Sequence, residues 1–278
     1  MKQLLKGIYK GLPLKKQAFS VVKSVWTPPE RLYKHLYFDD KFRVEVEQGK
    51  SFEIYSNGAQ IANEVFWEGL YKGWEGKSIE IWREACRHSE MMLDIGANAG
   101  FYTLVAKTIN PTMEVHAFEP STDWYNRFNK NCAINDIKIN AHKLALSNVD
   151  GETYVKSVWR ETDKNFNAVR LDTFLKDHQI KKIDLVKIDV EHYVVEMIEG
   201  YSELFKETRP NLMIEILRDH QAEAIEEVLK TKELGYLYFN IDDKSRTVRQ
   251  VKELSKQSDD MNYFICHEEM AKKVGLIK

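Results

Sequence analysis

The apolar positions of this chain change period several times. Residues 1–40 mix lysines, aromatic residues and a Pro28-Pro29 break, and predict short helical pieces. From Phe42 to Tyr55 apolar and polar residues alternate, in Phe42-Arg43-Val44-Glu45-Val46 and Phe52-Glu53-Ile54-Tyr55 around Gly49. A period of two broken by a glycine predicts a β-hairpin. Helical spacing follows to about Cys86. Beyond residue 90, short apolar runs alternate with helical segments, the pattern of a doubly wound α/β sheet. The predicted strands are Met91 to Asp94, Met113 to Phe118, Ile139 to Leu144, Asp184 to Ile188 and Leu212 to Ile216. Glu152 to Val158 and Asn167 to Arg170 predict an inserted hairpin, because their β-branched and turn residues suit helix poorly. Tyr236 to Ile241 and Asn262 to Cys266 are aromatic-rich strands with no good helix between them, which predicts an antiparallel pair closing the sheet. The expected organisation is a helical and β-hairpin cap over 1–80 and a Rossmann-like α/β domain of seven strands over 81–278.

Composition narrows the classes. The 278 residues include 41 basic and 43 acidic side chains, for a net charge of −2. So balanced a chain carries no global field that draws it to nucleic acid or an anionic membrane. Cys86, Cys132 and Cys266 stand too far apart for a disulfide framework or a C-x-x-C zinc site, so a reducing, cytoplasmic location is expected. The basic start, Met1 to Lys6, lacks the apolar run of a signal peptide. No stretch has the roughly 20 apolar residues of a membrane span, so stable membrane insertion is not expected.

In an open parallel sheet, ligands bind beyond the carboxyl ends of the strands. The first such strand ends in Leu93-Asp94-Ile95-Gly96-Ala97-Asn98-Ala99-Gly100, and Phe101 and Tyr102 open the next helix. Gly96 and Gly100 flank a turn expected to bring backbone close to a ligand. Glu119, with Pro120 and Ser121 after it, ends the second strand, where a carboxylate can accept both hydroxyl hydrogens of a ribose. Asp94 is placed to meet a cationic amino group. A nicotinamide-dependent oxidoreductase is the rival reading, but its G-x-G-x-x-G turn needs glycine where this chain has Asn98.

Several blocks, in order, carry a resemblance. They are Leu93 to Thr103; Ala117-Phe118-Glu119-Pro120; Asn131 and Ala145-Leu146-Ser147; Val169-Arg170-Leu171-Asp172-Thr173-Phe174-Leu175; Ile183-Asp184-Leu185-Val186-Lys187-Ile188-Asp189-Val190-Glu191; and Arg209 to Glu215. Across roughly residues 64 to 266 the chain resembles the FkbM family of methyltransferases. The resemblance implies the seven-stranded methyltransferase sheet with its terminal antiparallel hairpin, and methyl transfer from S-adenosylmethionine, most often to an oxygen of a sugar, polysaccharide or natural product. The implied acceptor is a small molecule or glycan. The cofactor-binding candidates are Asp94, Gly96, Ala97, Asn98, Gly100, Phe101, Tyr102, Glu119, Pro120, Ser121 and Asp189. One departure stands out. After Glu191 the family usually has a glycine and, two positions on, a second glutamate, whereas this chain has His192 and Val194.

Transfer to a hydroxyl needs an aligned nucleophile and a proton acceptor. Asp189 or His192 is the expected base, with Glu191 or Glu215 orienting the acceptor or the base. Asp189 also reads as a helix N-cap. Glu191, Glu215 and Asp189 would equally suit Mg²⁺, a hard cation that selects oxygen ligands, although no metal ligand is assigned. The altered 192 and 194 positions also admit a non-catalytic cofactor-binding protein. His142 and Asp172 read as packed and helix-terminal residues. Trp124 and Tyr125 could wall an adenine, and Phe66, Trp67, Tyr71 and Trp74 read as cap packing or an acceptor pocket.

Overall fold

Alternation over residues 42–55 closes as an antiparallel hairpin in which Phe42 pairs with Ile54 and Val44 with Phe52. In the computed structural model, which describes residues 13–56, 58–155, 164–190, 193–256 and 261–278, the chain divides into two compact units, Met1–Gly76 and Lys77–Lys278.

The first unit runs α1 (Lys15–Val25), α2 (Glu30–Tyr33), β1 (Lys41–Glu47), β2 (Lys50–Tyr55) and α3 (Gln60–Glu68). The inward positions of the hairpin, Phe42, Val44, Val46, Phe52 and Ile54, are buried. Phe66 meets Phe38 edge-on at 4.8 Å and Phe42 at 5.3 Å. The Trp67 indole donates a 2.9 Å hydrogen bond to the Leu36 carbonyl, so this buried ring also keeps its polar edge satisfied. Phe66 and Trp67 are therefore core residues of this unit.

The second unit contains α4 (Gly76–Arg87), β3 (Met91–Ile95), α5 (Phe101–Ile109), β4 (Glu114–Phe118), α6 (Thr122–Ala133), β5 (Asn140–His142), β6 (Ala145–Ser147), β7 (Gly151–Val155), β8 (Lys164–Arg170), α7 (Leu171–Asp177), β9 (Leu185–Ile188), α8 (Val194–Glu199), α9 (Ser202–Thr208), β10 (Asn211–Glu215), α10 (Asp219–Val228), β11 (Leu237–Asp242), β12 (Thr247–Val251), β13 (Asn262–Cys266) and α11 (Glu268–Lys273). Its main sheet has the order β12-β11-β13-β10-β9-β3-β4-β5. Strands β10, β9, β3, β4 and β5 are parallel, and β13 joins β10 antiparallel. The central strands β3 and β9 are buried on both faces, as a sheet covered by helices on each side requires.

One expectation needs correction. This sheet has eight strands rather than seven. The addition is β12, whose sequence Thr-Val-Arg-Gln-Val is largely exposed and pairs only with β11. An edge strand with so little apolar content gives almost no periodic signal. The true hairpin is therefore β11–β12, while β11 and β13 lie side by side as antiparallel neighbours. The expected inserted hairpin forms, with β7 and β8 antiparallel, and β6 joins it to make a separate three-stranded sheet of order β6-β8-β7. Residues 156–158 of the predicted hairpin lie outside the described residues.

Register fixes the site. Phe118, Ile95, Ile188 and Ile214 are successive partners across β4, β3, β9 and β10. The residues that follow them, Glu119, Gly96 and Asp189 just past their strands and Glu215 as the last residue of β10, thus stand together along one lip. Four apolar strand ends aligned by hydrogen bonding place three carboxylates and the glycine turn in a single row.

Candidate functional site

The turn after β3 is built almost wholly on internal hydrogen bonds. The Gly96 and Ala97 amides both donate to the Phe118 carbonyl at 3.0 Å, and the Gly100 amide donates to the Ala97 carbonyl at 2.8 Å. Between them, the Asn98 amide donates to Glu119 Oε2 at 2.9 Å and the Ala99 amide to Asn98 Oδ1 at 2.7 Å. Asn98 has φ +50°, a left-handed conformation that asparagine tolerates better than most residues. The Asn131 side chain holds the Ala99 carbonyl from α6 at 2.9 Å. All five amides from 96 to 100 are thereby committed.

The two glycines also let the turn pack closely on the protein around it. At Gly96, φ is +81° and a Cβ would overlap the carbonyl oxygen of Asp189. At Gly100, φ is +91° and a Cβ would stand 2.7 Å from the Phe128 ring. Both close approaches are to protein. Gly96 lets the turn after β3 lie against the end of β9, and Gly100 seats the start of α5 on Phe128. Burial of a ring such as Phe128 stabilises a fold by roughly 1.5–3 kcal/mol. Ala97 belongs to the same small core, with Ala117, Phe128 and Cys132.

Glu119 is only 8% exposed. Its Oε1 accepts the Ser121 amide at 2.8 Å and its Oε2 the Asn98 amide. Burial pushes its carboxyl up to about 7, while those two amides pull the other way. A carboxylate has about four lone-pair sites, so two donors leave acceptor capacity for further hydroxyl hydrogens. Pro120 and Ser121 form the short link to α6 and keep this geometry compact.

Asp94 occupies a more structural position. It is buried, and its Oδ2 accepts the Thr103 hydroxyl at 2.6 Å. Burial raises its carboxyl to about 6, opposed by the hydroxyl and amide of Thr103. The side chain thus ties the end of β3 to the first turn of α5, where an acidic group also suits the helix dipole. Phe101 and Tyr102 are buried as well. The Tyr102 ring packs edge-on against Trp82 at 5.2 Å, and its carbonyl accepts the Trp82 indole at 3.1 Å.

In the sequence Lys187 reads as no more than one polar interruption in an apolar strand. It pairs with Asp94 in the β3–β9 register and is 1% exposed. Its ammonium lies 3.6 Å from Asp189 Oδ2 and 4.6 Å from the Tyr102 ring centre. A buried cation needs such charge and ring partners, and here they connect the catalytic-candidate strand to the cofactor-candidate helix. Asp189 itself is partly exposed, and its amide donates to the Ile95 carbonyl at 2.9 Å.

Glu215 ends β10 opposite Asn262 of β13. Glu191 and His192 lie outside the described residues. Val194 is buried in the main core with Met197 and Ile198, so this departure from the family pattern is an apolar packing residue rather than a rim group. His142 stacks on His116 with ring centres 5.2 Å apart, and burial lowers its imidazole to about 4, consistent with packing. Asp172 is buried and paired with Arg170 at 2.9 Å. Trp124 and Tyr125 are half-buried on α6, with Arg127 over the Trp124 ring. Among the described residues no group of three His, Cys, Asp or Glu side chains could hold a metal ion, and no helix is long and apolar enough to cross a membrane.

The Methyltransferase FkbM domain family matches residues 94–238, just over half of the chain. The chain is similar to Methyltransferase sdnD of Sordaria araneosa, 27% identical over 168 residues, covering 45% of this chain and 65% of that protein. It is also similar to Methyltransferase 1 of Beauveria bassiana, 22% identical over 158 residues, covering 45% and 64% respectively. The matched region thus spans just under two thirds of these curated relatives. Among solved structures, Methyltransferase FkbM from Methylobacillus flagellatus KT is similar at a TM-score of 0.42 and 15% identity, over 64% of this chain and 43% of that one.

Proposed function

The chain belongs to the FkbM methyltransferase family, and from that membership we propose that it moves a methyl group from S-adenosylmethionine to a hydroxyl oxygen of a sugar, polysaccharide or natural product. The observation that carries the choice of cofactor is the accounting of amides around the β3 turn. A pyrophosphate-binding loop offers free N–H groups to its ligand. Here each amide from Gly96 to Gly100 already has an acceptor within the protein, one of them the Glu119 carboxylate. The turn therefore presents an acceptor to the ligand rather than a cradle of donors. That polarity suits ribose hydroxyls and disfavours a nicotinamide dinucleotide.

S-adenosylmethionine, when bound, supplies an electrophilic methyl group on a sulfonium. We assign Glu119 to the ribose hydroxyls, Gly96 to Gly100 with Pro120 and Ser121 to the walls around them, and Asp94, Phe101 and Tyr102 to support from beneath. At the lip, Asp189 accepts the proton of the acceptor hydroxyl, and Glu215 on the adjacent strand orders that hydroxyl. Glu191 and His192 follow Asp189 in the chain and complete the candidate set. A positioned base of this kind contributes roughly 10² to 10⁴-fold.

The test is incubation with S-adenosylmethionine and a panel of glycans and hydroxylated metabolites, read by mass for one methyl in place of a hydrogen on oxygen. Transfer to nitrogen or carbon alone overturns the oxygen assignment. Cofactor binding without transfer to any acceptor in a broad panel favours a non-catalytic binding protein.

A further inference from the structure

The whole-chain charge conceals a marked asymmetry. Residues 1–34 contain seven lysines and one arginine against a single acidic residue, Glu30, so this segment is +7 and the rest of the chain is −9. Within it lies α1, a helix with two unlike faces. On one, Phe19 packs 5.6 Å from the Trp67 ring and 6.5 Å from the Phe38 ring, and the Lys23 ammonium donates to the Phe66 carbonyl. On the other, Ala18, Val21 and Val25, preceded by Leu14 at the helix N-cap, recur at the four, three, four spacing of a single helical stripe. That stripe is exposed: Leu14 by 69%, Val21 by 68% and Val25 by 83%. Trp26, exposed by 55%, follows directly, and Leu32 is also exposed. Apart from Val149, these are all the exposed large apolar side chains among the described residues. Single exposed apolar residues are ordinary on a protein surface, but a concentrated stripe marks a contact face.

We propose that α1 and Trp26 form an interfacial anchor that seats this protein on an anionic lipid surface. The charge decides the occupant. A second copy would bring one +7 segment against another, which like-charge repulsion opposes. A nucleic acid would be met by basic side chains, whereas the exposed stripe of α1 carries no charge at all. A helix lying in the plane of an anionic bilayer uses both features: apolar residues and tryptophan enter the headgroup boundary, and the basic residues around them meet lipid phosphates and carboxylates. Arg31 and Lys34 are exposed, and Lys2, Lys6 and Lys10 precede the stripe in the sequence. At 11 residues α1 is about 16 Å long by its rise, enough to lie on a bilayer and too short to cross one. This inference is independent of the methyl-transfer reading.

The experiment is co-sedimentation of the full chain with vesicles of phosphatidylcholine alone and of phosphatidylcholine with about one third phosphatidylglycerol, at low and at physiological salt. The account predicts binding to the anionic vesicles at least tenfold tighter than to neutral ones and weakened by salt, as screening requires. A Leu14→Ser/Val21→Ser/Val25→Ser variant should keep the wild-type circular dichroism spectrum and thermal transition, since all three side chains are exposed, yet bind at least tenfold more weakly. Equal sedimentation with neutral and anionic vesicles overturns the proposal, as does a folded triple variant that binds like wild type. A self-association seen by analytical ultracentrifugation and abolished in the triple variant, with no vesicle binding, also overturns it and assigns the face to a second copy.

Discussion

The carbonyl oxygen of Asp189 lies where a Cβ on Gly96 would have to stand, so the turn after β3 and the end of β9 interlock through a missing side chain. Gly96 also has φ +81°, which costs an L-residue roughly 1–2 kcal/mol. Gly96→Ala therefore combines backbone strain with a clash against backbone that cannot rotate away. The expected result is a loss of about 2–4 kcal/mol in denaturant unfolding, the range of strained or overpacked core sites. Any folded fraction should bind cofactor at least tenfold more weakly, because the displaced turn carries the Asn98 amide that holds Glu119. A variant as stable as wild type would show that the turn can move.

Thr103→Val isolates the structural role of Asp94. It removes the hydroxyl that donates to Asp94 Oδ2 and nearly preserves shape. Leaving a buried carboxyl short of a donor costs about 1–3 kcal/mol. Urea midpoints should fall accordingly, while cofactor affinity of the folded protein changes little. A large fall in affinity with unchanged stability would instead make Asp94 a direct ligand group.

Glu119 gives a pH signature. Its carboxyl sits at about 7 in the free protein, above the ordinary 4.5. The folded state consequently holds a proton that the unfolded state releases between those values, and this group's contribution to stability falls as pH rises from about 4.5 to 7. A ligand that donates hydroxyl hydrogens to the carboxylate favours its charged form and lowers that value. Binding should therefore release a proton near pH 7, measured by calorimetry in buffers of different ionisation enthalpy, and should tighten from pH 6 to pH 8. In Glu119→Gln both effects should vanish, and affinity should drop about 10 to 100-fold, the equivalent of roughly 1.5–3 kcal/mol for charged hydrogen bonds. Retention of the proton release in that variant would assign it to another group.

Asp189→Asn tests the base. The amide keeps the size of the side chain and the backbone contacts to Ile95 and Gly96 but removes a charge partner of buried Lys187, so stability should fall, while in the folded fraction cofactor affinity holds within a few-fold and kcat falls roughly 10² to 10⁴-fold. Unchanged turnover would move the role to the neighbouring Glu191 or His192.

The parallel core was legible because β3, β4, β9 and β10 are apolar runs bounded by turn residues, and Gly96, Glu119 and Asp189 stand at their ends. Strand β12 was not, because its exposed, polar sequence is held by ladder hydrogen bonds to β11 rather than by burial. Nor could spacing show that Gly96 makes room for the Asp189 carbonyl, a contact made by another strand. Lys187 escaped for a related reason. A lysine inside an apolar strand gains its meaning from partners on other elements, Asp189 and Tyr102, which periodicity does not connect. Val194 shows the converse, where a departure from a family pattern resolves into ordinary core packing.

The lip formed by Gly96, Glu119, Asp189 and Glu215 is the proposed seat of S-adenosylmethionine. Isothermal titration of the full chain with S-adenosylmethionine and, separately, with NAD tests it most directly. The expected result is a single saturable site for S-adenosylmethionine, weakened in Glu119→Gln, and no NAD binding. Saturable binding of NAD with none of S-adenosylmethionine would contradict it.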